Sequence, residues 1–319
     1  MSKYLFRRLL ILIPVLAGIS LILFTILALA PGDPFEELAT NPNVPPEVRA
    51  NLPRQFGLDD PIPVRYVRWF TSMMKGDWGF SFVSRVDVST LIMQRLPTTL
   101  WVLGLAQVLG LVVALPIGIY SAMRPYSFFD QLTTTLAFVG FSLPTFFTGI
   151  LFILFFSIYL DWLPFIYQAD ISATGWRFYW EHARQAAMPV AVLGLFQGAA
   201  LTRFVRSAVL DVIRLDYINT ARAKGLSEHV TIAKHAVRNA LIPVVTLMAL
   251  QIPGIFTGAV ITEQIFRVPG IGSLLISAIL ANDTPVIMAI TFVFSCLVVT
   301  FNLVADLLYG WLDPRISYR

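Results

Sequence analysis

The chain is poor in charge, lysine, histidine and cysteine, and each shortage closes off a class of function. Charged residues are 13% of its 319 residues against 57% hydrophobic, whereas soluble domains carry roughly 25% charged residues. A single cysteine, Cys296, excludes an intramolecular disulfide and a cysteine-held metal cluster. The three histidines, His182, His229 and His235, do not take the His-Glu-x-x-His spacing of a zinc hydrolase. His229 and His235 read as solvated loop residues rather than ligands. The four lysines are Lys3, Lys75, Lys224 and Lys234, and none follows a glycine. The Gly-Lys-Ser/Thr cradle for nucleotide phosphates is therefore missing. So is the Gly-x-Ser-x-Gly elbow of a serine hydrolase. Nothing catalytic or metal-binding is left to assign, and energy for any transport must come from a partner or an ion gradient. The net charge of +4 is small and gathered near the ends of apolar runs, and the aromatics sit within those runs, unlike the basic stripe of a nucleic-acid binder.

What the chain has in quantity is apolar length. Six segments are long enough to span a bilayer, which takes about 20 apolar residues: Leu9–Leu29, Thr99–Ala122, Leu132–Leu160, Ala187–Val209, Leu241–Thr262 and Val286–Trp311. The reading is an all-α membrane protein with six transmembrane helices. Pro116, Pro243 and Pro253 interrupt the second and fifth segments, a break tolerated where neighbouring helices satisfy the freed backbone. The first segment follows Lys3, Arg7 and Arg8 and ends near Ala28 and Ala30, as a signal peptide does. Its apolar run exceeds the ~7–15 residues of a signal core, so an uncleaved anchor is expected.

Loop charge orients the spans. The stretch 217–243, YINTARAKGLSEHVTIAKHAVRNALIP, is polar and carries Arg222, Lys224, Lys234 and Arg238 against Glu228, with Arg203, Arg206 and Arg214 just upstream. Lys and Arg concentrate in short cytoplasmic loops. With six spans, this loop, the N-terminus and the C-terminal Arg315 and Arg319 all fall on the cytoplasmic side. Arg124 and Asp130, in the short loop between spans two and three, are neutral evidence. Pro31–Arg95 then faces outward, balancing seven basic against eight acidic residues. It opens on the turn Pro31-Gly32-Asp33-Pro34 and is punctuated by Pro42, Pro45 and Pro46. After Pro61 and Pro63 it places Val64, Val67, Phe70, Met73 and Met74 at the spacing of one helix face. Trp69, Phe70, Trp78, Phe80 and Phe82 suggest an exposed docking surface, the alternative being an irregular loop. The resulting division is 1–30 for the N-terminus and first span, 31–98 for an outer subdomain, 99–311 for a core containing the basic loop 210–240, and 312–319 for a tail.

Within the basic loop, Ala221 and Ala223 favour helix, Gly225 permits a positive φ, and Ser227 and Glu228 suit the start of a second helix. A helix, a glycine turn and a second helix make a compact knob. The alternative is a glycine that merely ends a connector helix.

The residues Asn219-Thr220-Ala221-Arg222-Ala223-Lys224-Gly225 resemble the "EAA" loop of binding-protein-dependent ABC importer permeases, whose pattern is Glu-Ala-Ala, three residues, Gly, nine residues, then Ile-x-Leu-Pro. Here Asn219 stands for the Glu, His235 for the Ile and Arg238 for the Pro, as in the oligopeptide/dipeptide/nickel branch, first (B-type) permease. The resemblance extends through Ala30-Pro31-Gly32-Asp33-Pro34, Phe56-Gly57-Leu58-Asp59-Asp60-Pro61, Lys75-Gly76-Asp77-Trp78-Gly79, Arg95-Leu96-Pro97-Thr98-Thr99-Leu100 and Leu312-Asp313-Pro314-Arg315-Ile316. It implies a type I ABC importer permease fold in a bacterial inner membrane, with a small outward-facing subdomain between helices one and two. It also implies that the chain is not an enzyme. Residues Asn219 to Gly225, with Leu226, would couple it to a cytoplasmic ATPase. Two ATPase subunits holding ATP and magnesium, a second permease and an extracytoplasmic solute-binding protein are the implied partners, and this chain itself carries no cofactor. The implied solute is a di- or oligopeptide; nickel and oligosaccharides are the alternatives within the branch.

Polar residues inside spans complete the candidate set. Gln107, Gln197, Gln251 and Asn302 are candidates for a solute path. Asn302 and Asp306 are four residues apart and share a helix face. An intramembrane carboxylate is costly and is normally paired or functional, and Arg203 or Arg206 is the expected partner of Asp306. An ion-coupled secondary transporter would call for midplane carboxylates and repeated broken helices, and Asp306 lies well off-centre. A membrane scaffold or sensor would not need the knob.

Both termini are expected on the cytoplasmic side. A single cysteine at Asn43, in a Cys296→Ser background, should react with impermeant thiol reagents added from outside. Labelling from the cytoplasmic side alone would overturn this topology.

Overall fold

The computed structural model describes residues 2–29, 60–168 and 174–312. Those residues form α1 (Ser2–Leu29), α2 (Ile62–Met74), α3 (Val88–Met123), α4 (Phe128–Ser142), α5 (Thr145–Phe152), α6 (Trp176–Ile213), α7 (Asp216–Ala223), α8 (Arg238–Phe266), α9 (Ile271–Leu280) and α10 (Thr284–Leu312). Two stretches of π-helix, Ile153–Tyr159 and Thr231–Val237, continue α5 and lead into α8. Four helices are long and apolar enough to cross a membrane, and up to six if each of two bent helix pairs counts as one span. The turns proposed for Pro31–Pro34 and around Pro42–Pro46, and the motifs at 56–59 and 313–316, lie outside the described residues.

The chain divides into two compact units, Met1–Pro97 with Ser273–Val299, and Thr98–Gly272 with Thr300–Arg319. In the first unit, α2 starts after Pro61 with a proline in its first turn, where the missing N–H costs nothing. The sequence spacing gives α2 its helical period and part of its inward face: Phe70 and Met73 turn in as expected, the other three do not. Tyr66, Trp69 and Met73 turn inward, whereas Val64, Val67 and Met74 are exposed. The reason is aromatic packing on α1. The Phe24 ring lies 5.6 Å from Tyr66 and 5.7 Å from Trp69, and Ser20 Oγ and Tyr66 OH are 2.9 Å apart. Trp69 also meets Phe292 edge-on at 6.0 Å. The expected exposed-aromatic surface is therefore corrected: Trp69 and Phe70 are half-buried in packing, while Phe80 remains exposed. Beyond α2, residues 79–88 fold back on themselves through one antiparallel bridge, Phe80 to Asp87. Ser81 Oγ donates to the buried Asp283 Oδ2 at 2.5 Å.

In the second unit, α6 is the hub. Its 38 residues span about 57 Å at ~1.5 Å per residue, far more than the ~30 Å hydrocarbon core. It therefore begins eleven residues before the expected span at Ala187. α3 approaches it through glycines. A Cβ on Gly110 would lie 3.1 Å from Gly194 O, and one on Gly118 would lie 2.8 Å from Thr202 O and Val205 Cβ. In a bilayer, where apolar burial gives little drive between helices, small residues let backbones meet and dispersion hold them. α4 packs on α6 through stacked Phe141 and Phe196, 5.5 Å apart, and through Gly140 against Ala199. Ala240 and Val244 of α8 join Ala114, Ala122, Leu201, Val205, Ala208 and Val209 in one buried cluster.

The third expected span, Leu132–Leu160, is not a continuous helix. α4 ends at Ser142, and α5 starts after Pro144 at 103° to it. Leu143 is extended (φ −81°, ψ 128°), because the Pro144 ring disfavours helical geometry in the residue before it.

The glycine contacts make a paired prediction. Gly118→Ala should lower the thermal stability of the solubilised protein by ~1–3 kcal/mol, the usual cost of overpacking. At Gly104 a Cβ meets nothing within 4 Å, so Gly104→Ala should be neutral or stabilising. Retention of a monodisperse chromatographic peak after heating would compare the two.

Candidate coupling knob and buried carboxylates

The basic loop folds as helix, glycine turn and helix. α6 ends at Ile213, only Arg214 and Leu215 intervene, and α7 starts at Asp216. Bonds from Leu215 N to Val212 O and from Ile218 N to Leu215 O leave this joint without slack. α7 packs inward through Ile218 and Ala221, and Ile232 and Ala236 on the returning leg are buried as well. Gly225 takes φ +79°, and a Cβ there would touch nothing within 4 Å. Only the backbone conformation demands glycine at this position. Ser227 stands at the expected cap position with extended geometry, but its side chain caps nothing, and its carbonyl accepts from Thr231 N instead. The returning leg runs through Glu228–Val230 and the π-helical Thr231–Val237 into α8. Single-turn π segments recur at functional sites.

Two polar contacts close the knob. Arg222 grips Glu228 with two bonds of 3.0 and 2.7 Å across the glycine turn. Asn239 Nδ2 donates to Tyr217 OH at 3.0 Å, tying the root of α8 to α7. Hydrogen bonds from Arg222 hold the Glu228 carboxyl below the ordinary carboxylate range, and Glu228 in turn raises Arg222. Since the Glu228 value is depressed on folding, its contribution is present above the ordinary carboxylate pKa. It is lost only as pH falls through the lowered value, so the bridge is complete at neutral pH. Both groups are exposed enough for water to screen them strongly. On the outer surface Asn219, Thr220, Ala223, Lys224 and Leu226 are exposed. Leu215, Tyr217, Leu226 and Val230 offer exposed apolar surface among the basic residues.

Among the described residues three carboxylates are buried, Asp130, Glu263 and Asp283, and none is the one singled out from the sequence. Asp130, treated as a neutral loop charge, is 2% exposed and is gripped by Arg206 through Nε to Oδ1 at 2.5 Å and Nη2 to Oδ2 at 2.7 Å. Arg206, one of the two cations considered for Asp306, therefore serves a different carboxylate. Arg203 sits 3.9 Å from the centre of the Phe138 ring. Asp306 is half-buried in α10 and Asn302 is exposed. Glu263, just past the expected end of the fifth span, is 1% exposed. It accepts from Thr99 Oγ1 at 2.6 Å, and the same oxygen of Thr99 accepts from Ile271 N at 2.9 Å. Gly270 and Gly272 are shaped to it: a Cβ on Gly270 would collide with its carboxylate, and one on Gly272 would lie 2.8 Å from Oε2. The signal for Glu263 was legible as an acid adjoining an apolar run followed by Pro-Gly-Ile-Gly. Asp283, in the first unit, is the third.

Among the path candidates, Gln197 lies against Gly110, one turn from Gln107. Gln107 Oε1 is buried with no protein partner among the described residues. Gln251 is half-buried in α8.

Replacing Thr99 by valine should remove its bond to Glu263 and take the acceptor from the buried Ile271 N, destabilising the protein by ~1–3 kcal/mol, whereas Thr99→Ser should keep both bonds. Thermal unfolding of the two variants side by side tests this.

Comparison with known proteins places these features in a family. Residues 114–318 match the family described as "Binding-protein-dependent transport system inner membrane component". Residues 1–103 match the N-terminal part of such membrane components. The chain is 41% identical over 320 residues to the oligopeptide transport system permease protein AppB of Bacillus subtilis, covering all of both chains. It is 38% identical over 319 residues to the glutathione transport system permease protein GsiC of Salmonella paratyphi A, and 36% identical to GsiC of Escherichia coli K12, again over full lengths. A solved amino acid ABC transporter, with histidines, shares its fold at a TM-score of 0.56, with 14% identity, over 73% of this chain and 99% of that one. The chain belongs to the binding-protein-dependent transport permeases: it is a multi-pass membrane transport subunit and not an enzyme.

Proposed function

We propose that this permease moves peptides across the bacterial inner membrane, and that the knob at 216–243 is where a cytoplasmic ATPase subunit engages it. The observation that carries this reading is the knob itself. A short helix is joined without slack to the longest helix, turned by a positive-φ glycine, and faced with exposed apolar and basic side chains. Such a surface suits insertion into a cleft of another protein and is out of place on a loop that only connects spans. It supports docking by Asn219 to Leu226. The two full-length relatives named for oligopeptide and glutathione transport support a short peptide as solute over nickel or an oligosaccharide.

On this reading both termini and the knob are cytoplasmic, and ATP and magnesium belong to two partner ATPase subunits. A second, related permease completes the solute path, to which Gln107, Gln197, Gln251 and Asn302 contribute. A solute-binding protein delivers cargo from the outer side. Closure of the ATPase pair displaces the knobs, and packed helices move as bodies between inward- and outward-open states. Because the binding protein selects the cargo, mass spectrometry of the ligand carried by its purified form would identify the solute.

The glycine turn supplies the direct test. A β-branched residue at positive φ is strongly disfavoured, whereas asparagine visits that region more readily. Gly225→Val should insert normally yet lose ATPase binding and uptake by an order of magnitude or more, and Gly225→Asn should retain most of both. A Gly225→Val transporter with unaltered uptake and solute-stimulated ATP hydrolysis would refute the docking reading.

A further inference from the structure

We propose that Asp130 and Arg206 are the pin that makes the turn between α3 and α4 move with the knob, so that knob displacement is delivered to those two helices as well as to α6. The inference rests on the knob reading above and extends it to residues that touch neither ATPase nor solute.

The geometry around Asp130 is that of a fastening. Both carboxylate oxygens are used by Arg206, and Oδ2 also accepts from Tyr126 N at 2.8 Å. Tyr126 has φ +64°, a conformation a non-glycine residue holds only where its surroundings impose it. The carboxylate therefore fixes the turn as well as the helix. The turn is closed further by Ser127 Oγ, which accepts from Asp130 N at 3.2 Å, and by Gln131 Nε2, which donates to Tyr126 O at 3.1 Å. Ser121 and Thr133 hydroxyls, 3.0 Å apart, join α3 to α4. Near the same end of α3, Gly118 rests on Thr202, one turn before Arg206, and on Val205, the residue next to it. The α3–α4 corner is thus attached to α6 by a steric fit and by a forked ion pair.

From that pin to the end of α6 is seven residues, about 10 Å of continuous helix. Beyond it only Arg214 and Leu215 separate α6 from the knob helix. A bidentate pair is directional as well as strong. If one partner is removed, the other is left as an orphaned buried charge, which costs more than the pair gains. Such a contact transmits displacement poorly when altered and rigidly when intact. Lysine at 206 would keep the charge and lose the fork.

The test uses the whole transporter, with its ATPase, second permease and binding protein, in proteoliposomes. The Asp130→Asn/Arg206→Gln double variant avoids the orphaned charge and should assemble with its ATPase. Its hydrolysis should still respond to loaded binding protein, while solute taken up per ATP hydrolysed falls about tenfold, inside the 5–150-fold range typical of coupling between sites. Arg206→Lys should fall between this and the native protein. A double variant with native uptake per ATP would overturn the inference. A second measurement does not depend on altering the pair. Spin labels on Arg124→Cys and Arg214→Cys, both exposed positions and the second just outside the docking segment, in a Cys296→Ser background should keep one separation in nucleotide-free and ATP-bound states. A separation that changes with nucleotide, in a transporter whose ATPase is bound and stimulated, removes the pin and leaves the knob standing. Failure of the native chain to bind any ATPase removes the knob reading itself.

Discussion

The close approach of α3 to α6 is the constraint on which the second unit depends. Gly118 meets Thr202 and Val205 at distances no added Cβ tolerates without a shift, and Gly110 meets Gly194 and Gly198 at distances that leave a Cβ tight. Between lipid-embedded helices the hydrophobic effect offers little preference for one partner over lipid, so contact must be gained by fit. Once α3 lies in this groove, Ala114 and Ala122 on it reach Leu201, Val205, Ala208 and Val209 on α6. Ala240 and Val244 of α8 then find a surface already formed. Small side chains thus decide which helices touch, and larger ones such as the stacked Phe141 and Phe196 fill what remains.

Charge enters this apolar framework at joints. Asp130 sits where α3 turns into α4, Glu263 where α8 turns toward α9, and Asp283 in the bend before α10. A helix end leaves backbone groups unsatisfied, and a membrane interior offers no water to complete them. A carboxylate can accept from several donors at once, so one acid can satisfy a turn and clamp it to a neighbour. Asp130 does so for Tyr126 N and Arg206. Glu263 does so through Thr99, whose hydroxyl also receives Ile271 N. Asp283 is less complete: its Oδ2 receives Ser81 Oγ and Val83 N, while its Oδ1 is buried with no protein partner among the described residues.

How much of this the sequence discloses follows from which forces act locally. Apolar length gave the spans, and Gly225 between two alanine-rich or acidic-capped stretches gave the knob, because both are properties of a few consecutive residues. The break at Leu143-Pro144 was equally local but hidden inside an unbroken apolar run, where hydropathy masks a backbone rule. The phase of α2 was not local. Val64 and Tyr66 are both plausible inward residues, and the choice fell to Phe24 and Ser20, some forty residues earlier. The partner of Arg206 was likewise out of reach, because Asp130 and Asp306 are chemically equal candidates until the chain is folded. Glu263 was missed for a simpler reason: it stands one residue beyond the span drawn from hydropathy, and its meaning comes from glycines wrapped around it.

Stiffness is distributed unevenly along the path from knob to bundle, and this orders the steps by which force would travel. The Arg222–Glu228 bridge is exposed and contributes on the order of 1 kcal/mol or less, so it shapes the turn without locking it. The Gly225 turn is fixed by backbone geometry alone. Inward from there, Ile218, Ala221, Ile232 and Ala236 are buried, α7 follows α6 with two residues between, and the Asp130–Arg206 fork binds the adjacent corner. Compliance therefore lies at the outer surface of the knob, where a partner must fit, and rigidity begins one layer beneath it. The returning leg shares that buried layer, since Ile232 and Ala236 stand in its π-helical turns. What distinguishes α6 is Arg206: on the reading proposed for its pair with Asp130, the α3–α4 corner follows α6 because the forked contact is made to that helix.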